Sequence, residues 1–317
     1  MEKIRAVLTD PGSAGHLILS EVDPPQPEPS QAVVRVEAFS LNRGEVRTAY
    51  AAQAAYVPGW DLAGRVVRAA ADGTGPKAGD RVVGFLRTGA WAELAAVPTH
   101  ALAVLPESVS FEQAATLPIA GLTALYGLEK ASGLLERKVL VTGASGGVGL
   151  FAIELARRAG ANVVGLSHQE RFQPAVREAG AYQAVSGEDA SPAAPYGPYD
   201  LVMDSVGGSV LGTALGLLAP NGMCVSYGAT TGQDVTFKGG PFFRTGGLTL
   251  YGFFIFHEVR FHPAGEGLAR LAGMIAAERL HPRIELVDTW ENIAGVAQRL
   301  MNREFLGKAV LFTQKGG

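Results

Sequence analysis

The first 110 residues carry short runs of alternating apolar and polar side chains, separated by glycine and proline, which predict β-strands. Residues 32–38 alternate imperfectly, residues 64–67 follow a turn, and residues 80–84 follow Gly79. Four prolines between residues 24 and 29 indicate a stiff, exposed connector between strands. This part of the chain is therefore predicted to form a small, mostly antiparallel barrel.

The pattern changes near residue 111, where helical segments begin to alternate with apolar strands. A helical pattern over residues 111–133 is interrupted by Pro118 and Gly121, and an amphipathic helix over residues 148–159 ends at Gly160. Buried strands are predicted at residues 138–142, 162–167, 181–185, 200–204, 223–227 and 248–254. Strands and helices in alternation predict a doubly wound parallel sheet. The fold class is therefore α/β.

The C-terminal residues continue this pattern without forming a repeat. We predict helices at residues 265–278 and 292–302, and strands at residues 284–287 and 308–312. A chain of 317 residues exceeds what one hydrophobic core usually covers, so two domains are expected.

Composition narrows the class of function. The net charge is −3 and neither sign forms a long block, which argues against a nucleic-acid-binding surface. The single cysteine, Cys224, rules out an intrachain disulfide framework and a multi-cysteine zinc site. The N-terminus lacks the apolar core of a signal peptide, and the most apolar stretch, residues 248–256, is half the length of a membrane-spanning helix. We expect a soluble, cytoplasmic protein without a membrane or nucleic-acid partner.

A glycine-rich turn joins the strand at residues 138–142 to the helix that follows it. Its sequence, Ala144-Ser145-Gly146-Gly147-Val148-Gly149, fits Ala-x-Gly-x-x-Gly, with alanine in the first glycine position of a dinucleotide-binding fingerprint. Gly146 allows the backbone to approach a pyrophosphate, and Gly149 allows the helix to pack closely on the strand. The helix N-terminus supplies N–H donors to phosphate. We predict dinucleotide binding; the alternative is a purely structural turn.

The end of the second strand of this unit indicates which dinucleotide binds. Ser167 stands where an NAD-specific site carries Asp or Glu, and His168 and Arg171 are within reach of a 2′-phosphate. A hydroxyl and a guanidinium bind that phosphate, whereas a carboxylate repels it. We therefore predict NADPH. Alternatively, His168 and Arg171 belong to a solvated helix start, and nearby Glu170 opposes phosphate binding.

Several spaced motifs resemble the medium-chain dehydrogenase/reductase superfamily, in particular its zinc-independent quinone oxidoreductase (zeta-crystallin-like) branch. These motifs, which span nearly the full chain, are residues 40–45 (SLNRGE), 58–64 (PGWDLAG), 79–82 (GDRV), 121–124 (GLTA), 144–149 (ASGGVG), 204–208 (DSVGG) and 307–311 (GKAVL). The resemblance implies a GroES-like catalytic domain at residues 1–110 and 256–317 and a Rossmann domain at residues 111–255. It also implies an active-site cleft between the two domains.

Zinc-dependent alcohol dehydrogenases are similar but differ at the metal site. They carry Cys where this chain has Asn42, and His-Glu where it has Trp60-Asp61. Zinc normally polarises the alcohol oxygen, so we expect no metal and little activity on simple alcohols. The resemblance implies reduction of an electron-poor acceptor such as a quinone or enone, with the nicotinamide carrying the hydride.

The resemblance also assigns the remaining site residues. It places Thr123, Ser145, Gly146, Gly147 and Val148 at the cofactor phosphates, and Val206, Tyr227 and Gly228 beside the adenosine and nicotinamide ribose. It places Asn42, Phe253 and Phe254 near the nicotinamide, with Lys308 contributing from the C-terminal segment. Asn42 and Tyr50 are the predicted catalytic residues, Tyr50 as proton donor; Tyr56 is the next candidate, and either tyrosine could instead be a packing aromatic.

Two other functions are compatible with the sequence. One is a stand-alone enoyl-thioester reductase, for which Arg43, Arg47 and Arg87 would form a basic patch toward an acyl carrier. The other is an NADPH-binding structural or regulatory protein with weak turnover.

The assembly is predicted from the last strand of the Rossmann domain. We predict a homodimer through residues 248–254, an expected sheet edge without charged residues or proline. The alternative is that the segment between Gly228 and Gly247 covers this edge.

Overall fold

The computed structural model describes residues 2–13 and 15–314. The chain forms two compact units: one contains the chain up to Leu122 and again from Val259, and the other is Thr123–Glu258. The predicted division after residue 110 falls before the observed one, because the helix that follows residue 110 packs on strands of the first unit. The Arg81 guanidinium, for example, lies 4.7 Å from the Phe111 ring.

The predicted strands and the predicted C-terminal helices are present, some with shifted ends, whereas the helix at Arg43–Tyr50 was not predicted. The strands are β1 (Ile4–Thr9), β2 (Leu17–Val22), β3 (Gln31–Ser40), β4 (Asp61–Arg68), β5 (Arg81–Phe85), β6 (Leu94–Pro98), β7 (Leu102–Val104), β8 (Lys138–Thr142), β9 (Asn162–Ser167), β10 (Gln183–Ser186), β11 (Tyr199–Asp204), β12 (Leu218–Ser226), β13 (Thr249–Gly252), β14 (Ile284–Thr289) and β15 (Lys308–Phe312). The helices are α1 (Arg43–Tyr50), α2 (Phe111–Ala115), α3 (Leu122–Leu128), α4 (Gly147–Arg158), α5 (Gln173–Glu178), α6 (Gly208–Leu215), α7 (Gly239–Thr245), α8 (Ile255–Glu258), α9 (Ala264–Ala276) and α10 (Ile293–Met301).

The first unit is built on a seven-stranded sheet. Its strand order is β14-β15-β3-β4-β5-β7, with β6 also paired to β3, and β1 and β2 form a separate antiparallel pair. All its pairings are antiparallel except that of β14 with β15, in agreement with the predicted barrel-like unit. The rings of Phe39, Trp91 and Trp290 are fully buried, and Phe39 lies 5.6 Å from Trp91. These aromatic rings form part of the core of the unit.

The C-terminal segment completes this sheet. Strand β15 pairs antiparallel with β3, with Val310 opposite Ser40, as the resemblance implied. The backbone N–H of Leu41 also donates to the Ala309 carbonyl at 3.1 Å. This pairing brings the start of β15 next to the segment that joins β3 to α1.

The second unit contains a six-stranded, all-parallel sheet of order β10-β9-β8-β11-β12-β13. The chain runs from β8 outward to β10 and then crosses to β11 on the other side, which makes the sheet doubly wound. In such sheets, ligands bind at the carboxyl ends of the strands where the order reverses. The elements beside this point are the β8–α4 turn and the loops that follow β11 and β12.

Most element boundaries in this unit were predicted closely. Strands β8 and β9 match the predicted residues, and Gly160 ends the helix with φ +90°, the left-handed conformation expected there. The strand predicted at residues 248–254 is shorter, Thr249–Gly252, because Phe253 turns into a buried position and α8 begins at Ile255. Strand β12 begins at Leu218, earlier than the predicted residue 223, because Leu218 already pairs with Tyr199.

Two further observations bear on the sequence-based expectations. Across residues 2–13 and 15–314, no helix has the length and apolarity needed to cross a membrane. Cys224 lies fully buried in β12, and burial raises the pKa of its thiol, which disfavours the nucleophilic thiolate.

Candidate functional site

The glycine turn opens α4 at the carboxyl end of β8, and its geometry suits a phosphate group. Gly146 is the residue before the helix and is exposed, so it supplies neither a capping side chain nor a steric barrier. The N–H groups of the first helical turn have no acceptor within the helix. A Cβ at Gly149 would lie 2.5 Å from the Gly143 carbonyl oxygen and 2.7 Å from that of Ala144. Glycine is therefore needed at Gly149 for packing. The Gly146 N–H donates to the Gly143 carbonyl at 3.0 Å, so the N–H groups offered to an anion are those of the first helical turn, which begins at Gly147.

Asp204 shapes the neighbouring loop at the end of β11. Its buried carboxylate accepts hydrogen bonds from the Thr142 hydroxyl at 2.6 Å, the Gly207 N–H at 3.1 Å and the Val206 N–H at 3.3 Å. Burial raises the pKa of Asp204, and these hydrogen bonds oppose the shift. Asp204 thus fixes the backbone of Val206, one of the predicted cofactor residues. The sequence motif at residues 204–208 was recognised, but this anchoring role was not predicted.

Tyr227 and Gly228 follow β12 and are tied to the same loop. The Tyr227 N–H donates to the Asp204 carbonyl at 2.8 Å, and a Cβ at Gly228 would lie 2.9 Å from the Ser205 carbonyl oxygen. The Tyr227 hydroxyl is buried, and the Ser205 side chain lies near it and lowers its pKa slightly, but no residue that the structure describes makes a hydrogen bond of good geometry with it. Burial raises the pKa of this phenol, so it remains a protonated donor at neutral pH.

The predicted 2′-phosphate residues lie at the end of β9. The Ser167 side chain is buried, donates to the Gln169 carbonyl at 3.0 Å and lies 3.5 Å from the Ser186 hydroxyl. His168 Nδ1 lies 3.5 Å from the carboxylate of Glu188, a residue that the sequence motifs did not connect with this site. Arg171 is exposed, and its guanidinium lies 4.7 Å from the Phe172 ring. The carboxyl end of β9 therefore has a cation beside it, the Arg171 guanidinium, and also a carboxylate, that of Glu188.

The other predicted cofactor residues of this unit differ in exposure. Thr123 is buried in α3, and Ser145, Gly147 and Val148 are half-buried in the glycine turn. Phe253 is buried, whereas Phe254 is 57% exposed with its ring 5.3 Å from that of Phe256. Of these two residues, Phe254 has the ring surface that a ligand can contact.

In the first unit, a buried polar network surrounds Asn42. Its amide nitrogen donates to Asp61 Oδ2 at 2.7 Å and to Glu45 Oε1 at 2.9 Å. Its amide oxygen accepts a hydrogen bond of 2.5 Å from the Lys308 ammonium. Glu45, Asp61 and Lys308 are all almost fully buried. The structure therefore brings two predicted site residues, Asn42 and Lys308, into direct contact, although 266 positions separate them in the sequence.

Burial sets the electrostatics of this network. Burial and the neighbouring Asp61 carboxylate raise the pKa of Glu45 well above its usual range. Burial lowers the pKa of Lys308, and the carboxylates of Asp61 and Glu45 oppose that shift. Both oxygens of Glu45 accept N–H hydrogen bonds, Oε1 from the Asn42 backbone at 2.6 Å and Oε2 from the Trp60 backbone at 2.8 Å, and these bonds with the Lys308 ammonium offset part of the cost of burying the carboxyl groups.

These side chains do not fit a zinc ion. The position beside Asn42 and Asp61 is filled by an ammonium, and the Trp60 indole offers no metal-binding atom. The described residues, 2–13 and 15–314, contain no group of three or more His, Cys, Asp or Glu side chains that could hold a metal. We therefore derive no step that involves a metal.

A cavity of about 610 Å³ adjoins this network within the first unit. Tyr56 and Trp60 supply aromatic surface, Arg47 and Arg87 are exposed cations at the cavity, and Glu45 reaches it from α1. Burial, and to a smaller extent Glu45, raises the pKa of Tyr56, which keeps its hydroxyl protonated. The cavity combines a flat apolar surface with hydrogen-bond donors.

Tyr50, the predicted proton donor, does not line this cavity. It ends α1, whereas Asn42 precedes the helix, so eight residues separate them, a rise of about 12 Å. The Tyr50 ring lies 5.4 Å from the His16 ring. Arg43 is also engaged elsewhere, because its guanidinium donates to the carbonyls of Leu300 and Met301 at 2.7 and 2.9 Å.

Comparison with known proteins agrees with this architecture. Residues 28–107 match the family described as alcohol dehydrogenase GroES-like domain, and residues 147–270 match the family described as zinc-binding dehydrogenase. The chain is 31% identical over 226 residues to the chloroplast envelope quinone oxidoreductase homolog of Arabidopsis thaliana, and the match covers 66% of this chain and 68% of that protein.

Two further relatives extend the comparison. A stretch of 213 residues, 65% of this chain, is 36% identical to the spectinabilin polyketide synthase system protein NorB of Streptomyces orinoci, and it spans only 10% of that protein. A mycobacterial protein solved in complex with NADPH has a TM-score of 0.87 and 26% identity, covering 97% of this chain and 99% of that one. By its sequence matches and its fold, the chain belongs to the medium-chain dehydrogenase/reductase superfamily, in its zinc-independent quinone oxidoreductase branch.

Proposed function

We propose that this protein is an NADPH-dependent, zinc-independent oxidoreductase that reduces a quinone, an enone or a similar conjugated carbonyl. The observation that carries the proposal is the Lys308 ammonium, which lies among Asn42 and Asp61 where zinc-dependent relatives have metal ligands. A site without a Lewis acid suits an acceptor that is already electron-poor. The bound nicotinamide supplies hydride chemistry.

NADPH is the cofactor that the second unit suits. The glycine turn provides N–H donors for phosphates, and β9 ends in Ser167 rather than an acidic residue. Arg171 provides a cation beside this position. The mycobacterial protein of the same fold was solved with NADPH. In our proposal, Ser145, Gly146, Gly147, Val148 and Thr123 hold the cofactor phosphates.

The remaining cofactor contacts are proposed by position. Val206, Tyr227 and Gly228 lie on the loops after β11 and β12, where the ribose and adenosine bind in such sheets. The buried Tyr227 hydroxyl makes no hydrogen bond of good geometry with a described residue, and we propose that it donates to the cofactor. We propose Phe253 and Phe254 as apolar neighbours of the nicotinamide, with Phe254 making the direct contact.

The proton donor is proposed from the first unit. Both N–H bonds of the Asn42 amide are used within the network, so Asn42 can accept a hydrogen bond but cannot polarise a carbonyl. Tyr50 and Tyr56 were the two predicted donors, and the cavity favours Tyr56 because Tyr56 lines it. We propose that Tyr56, or water held in the cavity, protonates the product after hydride transfer.

Stopped-flow oxidation of NADPH tests this function. Quinones and enones mixed with the NADPH-loaded protein should oxidise the cofactor in a single exponential whose rate saturates with acceptor concentration. Failure of every quinone and enone in the panel would refute the proposed reaction.

A second candidate function is an enoyl-thioester reductase, which two observations favour. Arg47 and Arg87 both lie at the cavity, where they suit the phosphates of an acyl carrier. NorB, a polyketide synthase protein, is a relative over 65% of this chain. Crotonyl-CoA in the same stopped-flow panel distinguishes the two candidates, because it should then outcompete the simple enones in kcat/KM.

We also propose a homodimer that pairs β13 with its own copy. Strand β13 is an edge strand of the six-stranded sheet, and it contains neither a charged residue nor proline. Leu250 within it is 46% exposed. An apolar, uncapped edge of this kind favours pairing with another strand, and a two-fold axis would satisfy both copies.

A further inference from the structure

We propose that Lys308 is a positioning residue whose buried ammonium fixes the orientation of the Asn42 amide. The inference rests on the proposed function and on the position near the nicotinamide that the resemblance assigns to Asn42. It differs from the role implied by the resemblance, in which Lys308 contributes directly to cofactor binding.

The contacts of the ammonium exclude a direct cofactor contact. Lys308 is 3% exposed, and Nζ lies 2.5 Å from Asn42 Oδ1, 3.0 Å from the Leu41 carbonyl oxygen and 3.5 Å from Asp61 Oδ2. An ammonium has three N–H bonds. All three are therefore directed at acceptors inside the first unit, and none is left for a phosphate or a carboxamide.

The same contacts select one of the two orientations of the Asn42 amide. In the observed orientation, the oxygen faces Lys308 and the nitrogen faces Asp61 and Glu45. Rotating the amide by half a turn would direct its two N–H bonds at an ammonium and its oxygen at two carboxyl groups. The amide oxygen is consequently fixed with one lone pair free, so Asn42 acts as a hydrogen-bond acceptor only.

A purely structural role for Lys308, as the counter-ion of Asp61, has to be separated from positioning. The Asp61 carboxylate is held by four donors: Ser40 at 2.5 Å, Asn42 at 2.7 Å, the Ile119 N–H at 3.0 Å and Lys308 at 3.5 Å. Losing Lys308 alone leaves a buried carboxylate without its cation, which destabilises the fold whatever the ammonium does for Asn42.

A double-mutant cycle makes this separation. The variants are Lys308→Met, Asp61→Asn and the double variant, with Asn42→Ala as a reference and exposed Lys77→Met as the matched control. Thermal unfolding, the Kd for NADPH from fluorescence titration, and kcat and KM for NADPH and 1,4-naphthoquinone are measured for each. We expect Lys308→Met to lower the melting temperature and the double variant to recover most of that loss, because it buries no unpaired charge.

The kinetics then decide the role. If Lys308 positions Asn42, the double variant keeps kcat about 100-fold below that of Asp61→Asn, which retains the ammonium, as a misplaced group of this kind costs, and its Kd for NADPH stays within about twofold of that of Asn42→Ala. The Lys77→Met control should match wild type throughout. A double variant whose kcat equals that of Asp61→Asn would overturn the positioning role while leaving the proposed function intact. Wild-type kcat in Asn42→Ala would instead overturn the proposed role of Asn42 itself.

Discussion

Selectivity for NADPH should depend on two exposed charges of opposite sign at the end of β9. Arg171→Ala removes the cation proposed to bind the 2′-phosphate, and Glu188→Gln removes the carboxylate that lies 3.5 Å from His168. The two substitutions are predicted to change NADPH affinity in opposite directions. NADH, which lacks the phosphate, is the internal control for each.

The exposure of these side chains sets the expected magnitudes. A charge-assisted hydrogen bond contributes about 1.5–3 kcal/mol, and because Arg171 is exposed we take the lower value, which is about a tenfold weaker affinity for NADPH. Two charges about 4 Å apart in water interact by about 1 kcal/mol. Relief of repulsion between Glu188 and the phosphate therefore predicts tighter NADPH binding, by up to about fivefold if the two charges lie that close.

Isothermal titration calorimetry of NADPH and NADH against the wild type and both variants measures these changes. The affinity for NADH should change by less than about twofold in either variant, and raising the salt concentration should shrink both NADPH effects, because exposed charges are screened. If Arg171→Ala lost equal affinity for NADPH and NADH, or if the wild type bound the two cofactors equally, the proposal that Arg171 binds the 2′-phosphate would be refuted.

Three other predictions address the turn, the proton donor and the assembly. Gly149→Ala should lower stability by about 1–3 kcal/mol in urea unfolding, because its Cβ would meet the Gly143 and Ala144 carbonyls; an unchanged midpoint would contradict the packing role. Tyr56→Phe should lower kcat for an enone at least tenfold while Tyr50→Phe does not, and full turnover of both variants across pH would show that water supplies the proton. Leu250→Lys should convert a dimer to a monomer in light scattering at micromolar concentration, and a monomeric wild type or a dimeric variant would exclude this interface.

Local patterns in the sequence predicted much of the fold. Strand β8 is a continuous apolar run that ends in a glycine turn, and α4 is amphipathic and ends at Gly160, so their boundaries follow from periodicity and turn chemistry. Strand β13 was predicted too long because residues 248–254 are uniformly apolar, and apolarity alone cannot show that the backbone turns at Phe253.

The site was harder to predict because its contacts join residues far apart in the chain. The hydrogen bond between Lys308 and Asn42 exists only because β15 pairs with β3, which no local pattern specifies. Long-range contacts also bear on two cations. From the sequence, Lys308 was expected at the cofactor and Arg43 at an acyl carrier, whereas in the structure both side chains donate to backbone carbonyls of the first unit. Motifs identified the residues, whereas the tertiary pairing determines what each side chain contacts.

Single-turnover hydride transfer in the absence of metal tests the central claim most directly. The protein is dialysed against a chelator, its metal content is measured by elemental analysis, and NADPH oxidation by 1,4-naphthoquinone is followed by stopped flow with and without added zinc. We expect metal-free protein to oxidise NADPH rapidly and saturably, at a rate that zinc does not raise. Oxidation that appears only after zinc is restored, with stoichiometric zinc bound, would contradict that expectation.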